Sequence, residues 1–177
     1  RQLACSGDEH SAGLARLARD IKKEKSFAIA QLHHAGTKSP ADLIGTAPLC
    51  PSPDSSTGAR EMTNNEVYEV INAFVDAAVR CEKAGFEGVE LHGAHGYLIG
   101  QFLSPEINQR TDEFGGSLDN RAGFLLAITL HFILQAKSGQ LDAPVAFWVM
   151  LGCYGLLRHL ILGPAWNWYY LAFQFLV

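Results

Sequence analysis

The sequence is poor in cysteine and has no C-x-x-C pair. Its four cysteines, Cys5, Cys50, Cys81 and Cys153, lie far apart. That excludes the close thiolate spacing of zinc sites and iron–sulfur clusters, and it reads as reduced thiols in a cytosolic protein. A basic cluster is missing too. The one run, Lys22-Lys23-Glu24-Lys25, is short and interrupted, and the net charge is −4, so a nucleic-acid surface is excluded. The run reads as the solvated end of a helix, where cations suit the dipole. There is no H-E-x-x-H, and no G-K-[ST] follows Gly115 and Gly116, so neither a zinc-protease helix nor a phosphate loop is present. No signal peptide precedes the first helical pattern. The chain opens on Arg1 rather than methionine, and is therefore read as incomplete at its front. What remains is 177 residues, 48% hydrophobic and 18% charged, enough for one ordinary domain with a sizeable core.

Hydrophobic period organises the chain. Residues 11–25 read as a helix, with Ser11 as cap and Leu14, Leu17 and Ile21 at helical spacing. Residues 26–33, SFAIAQLH, read as a short apolar strand of the kind covered on both faces in parallel sheets. Residues 34–61 are rich in Pro, Gly, Ser and Thr and read as a long loop. Thr63 and Glu66 have the capping-box spacing. They open a helix whose apolar face is Val67, Val70, Ile71, Phe74, Ala77, Ala78 and Cys81, and Gly85 stops it in the left-handed position. A second strand follows at residues 86–92, FEGVELH, and a further helix is expected over about 119–135. Helix, strand, loop, helix, strand with short turns is α/β organisation around a parallel sheet.

Alternation places Gln31 with His33, and Glu90 with His92, at the carboxyl ends of the two strands. Open α/β sheets and α/β barrels bind ligands at that end, where the βα loops converge. Gln31, His33, His92, His95 and Tyr97 therefore point to one candidate site. If the alternation holds, Glu90 faces a covered interior and requires a partner, because an isolated buried carboxylate is costly. His92 and His95 have no third ligand at a familiar metal spacing.

The stretches AIAQLHHAG, REMTNNEV and AGFEGVELHGAHGYLIGQFLSPEINQRTDEFGGSLDNR resemble the Old Yellow Enzyme family of flavin oxidoreductases, over roughly residues 10–128. A lone H-x-x-H is weak. H-G-A-H-G-Y-L followed by Q-F-L-S-P and F-G-G-S-x-x-N-R is specific. The resemblance implies a (β/α)8 barrel holding FMN at its carboxyl-end mouth. It also implies NAD(P)H as reductant and a small α,β-unsaturated carbonyl or nitro compound as hydride acceptor. Gln31 matches the glutamine at the pyrimidine edge of the flavin. His92 and His95 match the pair that binds the substrate oxygen, and Tyr97 a pocket tyrosine that is either a wall or a proton donor. Asn120 and Arg121 are read as structural.

The chain departs from that pattern in three places. Thr37 stands where the family usually carries arginine after H-A-G. No basic residue appears in 143–151, APVAFWVML. A closed barrel takes about 250 residues, so the expectation is a partial TIM barrel, incomplete at both ends, over residues 1–140. Residues 141–177 read as a divergent apolar tail, either a truncated or mistranslated end or a membrane-associated segment. Leu160–Val177 approaches the ~20 residues of a spanning helix but contains Pro164, Asn167 and Gln174. The functional expectation is an FMN-dependent NAD(P)H oxidoreductase placed in the cytoplasm. Its alternatives are a catalytically inactive barrel fragment lacking the flavin-phosphate half, or a membrane-anchored remnant.

Overall fold

The computed structural model describes residues 3–136. The tail expected over 141–177 and the segment 143–151 lie outside the described residues. Arg1–Ile128 forms one compact unit and a second begins at Thr129; the core, the sheet and the clustered rings all belong to the first. Among the described residues no helix is long and apolar enough to cross a membrane.

The order is α1 (Ser11–Lys23), β1 (Ile29–Leu32), α2 (Ala41–Ile44), β2 (Leu49–Cys50), β3 (Arg60–Glu61), α3 (Asn64–Lys83), β4 (Gly88–Leu91), α4 (Leu98–Leu103) and α5 (Leu118–Ala136). Strands β1 and β4 pair in parallel, Ile29 with Gly88 through Leu32 with Leu91. The ladder extends past both ends, Glu87 N–H donating to Ala28 O and His92 N–H to Leu32 O, each at 2.9 Å. Helix α3 provides the crossover between them and packs on both strands and on α1.

The start and stop signals of α3 act as the sequence predicts. Thr63 Oγ1 accepts the Glu66 N–H, and the Glu66 carboxylate accepts the Thr63 N–H at 2.8 Å. At the other end Gly85 N–H reaches Glu82 O at 2.8 Å and Phe86 N–H reaches Cys81 O at 3.1 Å, a Schellman closure with Gly85 at φ 91°. The buried face is Val67, Ile71, Phe74, Val75, Ala77 and Cys81. Phe102 and Phe124 are fully buried and stacked at 4.2 Å, with Phe74 against the edge of Phe124 and Phe114 against Phe102. Each buried ring contributes roughly 1.5–3 kcal/mol of transfer free energy.

Two expectations are corrected. Ser11 is not the cap of α1. A single 3-10 turn, Asp8–His10, runs into the helix, so His10 is already helical and Ser11 is the first helical residue. The buried stripe of α1 centres on Leu14 and Ala18, with Leu17 left 37% exposed. The stretch 34–61 is not a structureless loop. It contains a 3-10 turn at Gly36–Lys38, α2, and the β2–β3 pairing of Leu49 with Arg60 and Cys50 with Glu61. Arg110, 5% exposed, fastens this stretch through Met62 O at 2.5 Å, Pro51 O at 3.3 Å and Asn64 Oδ1 at 2.6 Å. Glu90 shares its sheet face with Gln31 and Ile29, a face exposed among the described residues, which contain only part of the barrel.

The Arg60 guanidinium beside Glu66, together with the Thr63 N–H, holds the Glu66 carboxyl down to about 2. A folded-state value below the unfolded one stabilises above the ordinary carboxylate range and loses that effect as pH falls toward about 2. Thr63→Ala should cost about 1 kcal/mol in urea unfolding at neutral pH. Glu66→Gln should destabilise at neutral pH and flatten the acid limb of the stability profile.

Candidate active site

The parallel register delivers the carboxyl ends of β1 and β4 side by side. Beyond them the chain turns through His33–Lys38 on one side and His92–Tyr97 on the other. Leu98 N–H donates to His34 O at 3.0 Å and joins the two turns. Four rings gather there. His92 and His95 lie with centroids 4.9 Å apart, and His92 Nε2 meets His95 Nδ1 at 3.0 Å. Tyr97 stands edge-on to His92 at 5.3 Å and to His95 at 6.4 Å. His33 stacks on Tyr97 at 5.0 Å and meets the edge of His92 at 6.3 Å.

The turn carrying His95 is strained. His95 has φ 57° and Gly96 φ 64°, two left-handed residues in succession. Histidine tolerates this region better than most side chains, at a cost of roughly 1–3 kcal/mol. Both carbonyls of the turn are capped. Lys38 Nζ donates to His95 O at 2.6 Å and lies 5.6 Å above the Tyr97 ring. The buried Gln101 amide donates to Gly96 O at 2.8 Å.

The structure thus brings His33, His92, His95 and Tyr97 together and adds Lys38 to them. Gln31 lies outside the ring cluster. It sits two residues before His33 on β1, exposed, in register with Glu90, about 7 Å further down the strand. Asn120 and Arg121 are structural: Asn120 Nδ2 donates to Asp112 O at 3.3 Å and Arg121 Nε to Leu103 O at 3.0 Å. A cavity of about 450 Å3 beside α1, lined by Leu3, Leu14 and Leu17 among others, shares no residue with the rings.

The residues present fit part of a flavin. The Gln31 amide offers one donor pair and one acceptor to a ring edge. Among the described residues no group of three His, Cys, Asp or Glu side chains could hold a metal ion.

The architecture is a partial α/β barrel with two parallel strands and no closed barrel among the described residues. Solved structures of the same fold include 2-naphthoyl-CoA reductase in complex with 2-naphthoyl-CoA, at TM-score 0.73 and 35% identity over 76% of this chain and 23% of that one. They also include Old Yellow Enzyme from a Pichia species, at TM-score 0.68 and 29% identity over 73% of this chain and 38% of that one. Residues 1–134 match the NADH:flavin oxidoreductase / NADH oxidase family. The chain belongs to that family, whose members use FMN with NAD(P)H as reductant. An NADH oxidase of Thermoanaerobacter brockii is 46% identical over 151 residues, 82% of this chain and 23% of the relative. An NADPH dehydrogenase of Clostridium acetobutylicum is 46% identical over 131 residues, 71% of this chain and 38% of the relative. The chain therefore spans well under half the length of these curated relatives.

Burial, reinforced by the neighbouring His92, pulls the His33 value below the ordinary histidine range; burial and then His33 do the same to His34. His34 is held neutral as an acceptor, Nδ1 taking the Gly36 N–H at 3.0 Å. In an imidazole NMR titration both rings should protonate below the usual value near 6.5. The unfolded chain then takes up protons first as pH falls. Urea stability contributed by these neutral rings should be present above that range and lost on acidification.

Proposed function

We propose that the parent protein is an FMN-dependent NAD(P)H oxidoreductase that reduces an activated alkene, and that this chain, through residue 140, carries the substrate-oxygen site of its barrel. The observation that carries this reading is the meeting of His92 Nε2 and His95 Nδ1 at 3.0 Å. Nitrogens that bond each other share one proton and aim along the line between them, so the pair must turn apart before both can face a third atom. Once turned, and with a hydrogen on each nitrogen, two rings this close are near enough to donate together to one carbonyl or nitro oxygen.

Such donation matters only where charge develops. Reduction at the β-carbon of an enone pushes electron density onto the oxygen, and two fixed N–H groups stabilise it there. Tyr97, edge-on to both imidazoles, is within the region where a phenol can protonate the neighbouring carbon. Gln31 would hold the polar edge of the flavin. FMN, when bound, supplies the two-electron relay between NAD(P)H and the alkene. A cytoplasmic setting accords with Cys5, Cys50 and Cys81 being free thiols.

The test is carried out on the full-length parent protein, following FMN retention and NADPH-dependent reduction of 2-cyclohexenone. His92→Ala or His95→Ala should each lower kcat by roughly 100- to 1000-fold while flavin stays bound. Tyr97→Phe should lower kcat less than either if the tyrosine is a wall, and comparably if it donates the proton. A parent protein that binds no flavin, or histidine variants that keep full turnover, would refute the proposal.

A further inference from the structure

We propose that Gln101 is a positioning residue: its buried amide fixes the left-handed His95–Gly96 turn and so holds the His92–His95 pair in place. The inference rests on reading that pair as the oxygen-binding group, and it names the residue that sets its geometry.

Gln101 lies on α4, outside the ring cluster, and is fully buried. Both ends of its amide are used. Oε1 accepts the Thr37 N–H at 3.2 Å. Nε2 donates to Gly96 O at 2.8 Å, to Thr37 Oγ1 at 3.1 Å and more weakly to Ala35 O at 3.4 Å. One side chain thus stitches the turn after β1 to the turn after β4. Gly36 presses against this amide: its φ is +61°, and a Cβ there would stand 2.1 Å from Oε1. The amide is therefore held by four hydrogen bonds with the Gly36 backbone close against it.

The consequence passes to the imidazoles through the backbone. Gly96 O belongs to the second of two successive left-handed residues, and His95 is the first. Without the Gln101 N–H, that carbonyl is left facing a buried side chain that cannot donate, and the left-handed pair loses an interaction that offsets its strain. His95 is then free to relax toward an ordinary φ, which swings its ring off His92. Lys38 caps the preceding carbonyl from an exposed position, whereas the Gln101 amide bonds from a fully buried one.

The experiment uses the full-length parent protein, with no substrate added. Long-range proton–nitrogen spectra of the histidine rings are recorded for the wild type, Gln101→Met and Thr37→Val, with far-UV circular dichroism as the control for folding. In the wild type His92 and His95 should each show the separated nitrogen shifts of one dominant tautomer. Gln101→Met keeps length and volume but cannot bond; it should collapse that separation toward the two-tautomer average while the helical signal is retained. Thr37→Val removes one partner of the amide and should shift the same resonances by less. A folded Gln101→Met chain with unchanged His92 and His95 signals overturns the proposal. So does an unfolded Gln101→Met chain together with a Thr37→Val chain whose signals are unchanged. Because the readout needs no turnover, a parent protein that fails to reduce enones would refute the functional reading and leave this one standing.

Discussion

Parallel pairing of β1 with β4 is the constraint on which the rest depends. It aligns Gln31 with Glu90 and Leu32 with Leu91, and it ends both strands at the same height. Two turns from distant parts of the chain then face each other, one bearing His33 and the other His92 and His95. An antiparallel pair would have put those turns at opposite ends of the sheet. The 20-residue helix α3 makes the parallel return possible, and its capping box and Schellman closure fix where the return begins and ends. The geometry of the ring cluster here is a by-product of crossover geometry.

Inside the junction, polar groups are arranged by burial. Gln101 is sealed and fully bonded, His34 is neutral and accepts a backbone N–H, and Arg110 gathers three neighbouring segments. These side chains are scaffolding made from polar atoms. The rings above them keep one edge toward the open face. A small unit can maintain a precise arrangement of imidazoles with few apolar contacts at the rings themselves, since hydrogen bonds to turn carbonyls do the positioning.

Much of this was legible in the residues. The 3.6-residue stripe of α3, Thr63 with Glu66, and Gly85 specify that helix from start to finish because they are local signals. The grouping of His92, His95 and Tyr97 was legible because H-G-A-H-G-Y-L, at the end of an apolar strand, resembles a specific family motif. Other features depended on partners far away in the chain. The amide of Gln101 looks like an ordinary helix residue until Thr37 and Gly36 are brought against it across 64 positions. Lys38 carries no periodic signal. Strand alternation tells which face Glu90 takes, and says nothing about what covers that face. The elements within 34–61 are two to four residues each, too short to show any period.

The packing of Gly36 on the Gln101 amide has a consequence for how such a chain can vary. Positions 36 and 101 form one epistatic pair. An alanine at 36 meets two separate obstacles, the amide oxygen in its way and a backbone angle hostile to any Cβ. Shortening the side chain at 101 lifts the first and leaves the second. A drift in sequence at either position is thus trapped unless the turn itself is rebuilt, and the route to a different residue 101 runs through a new loop rather than a single exchange.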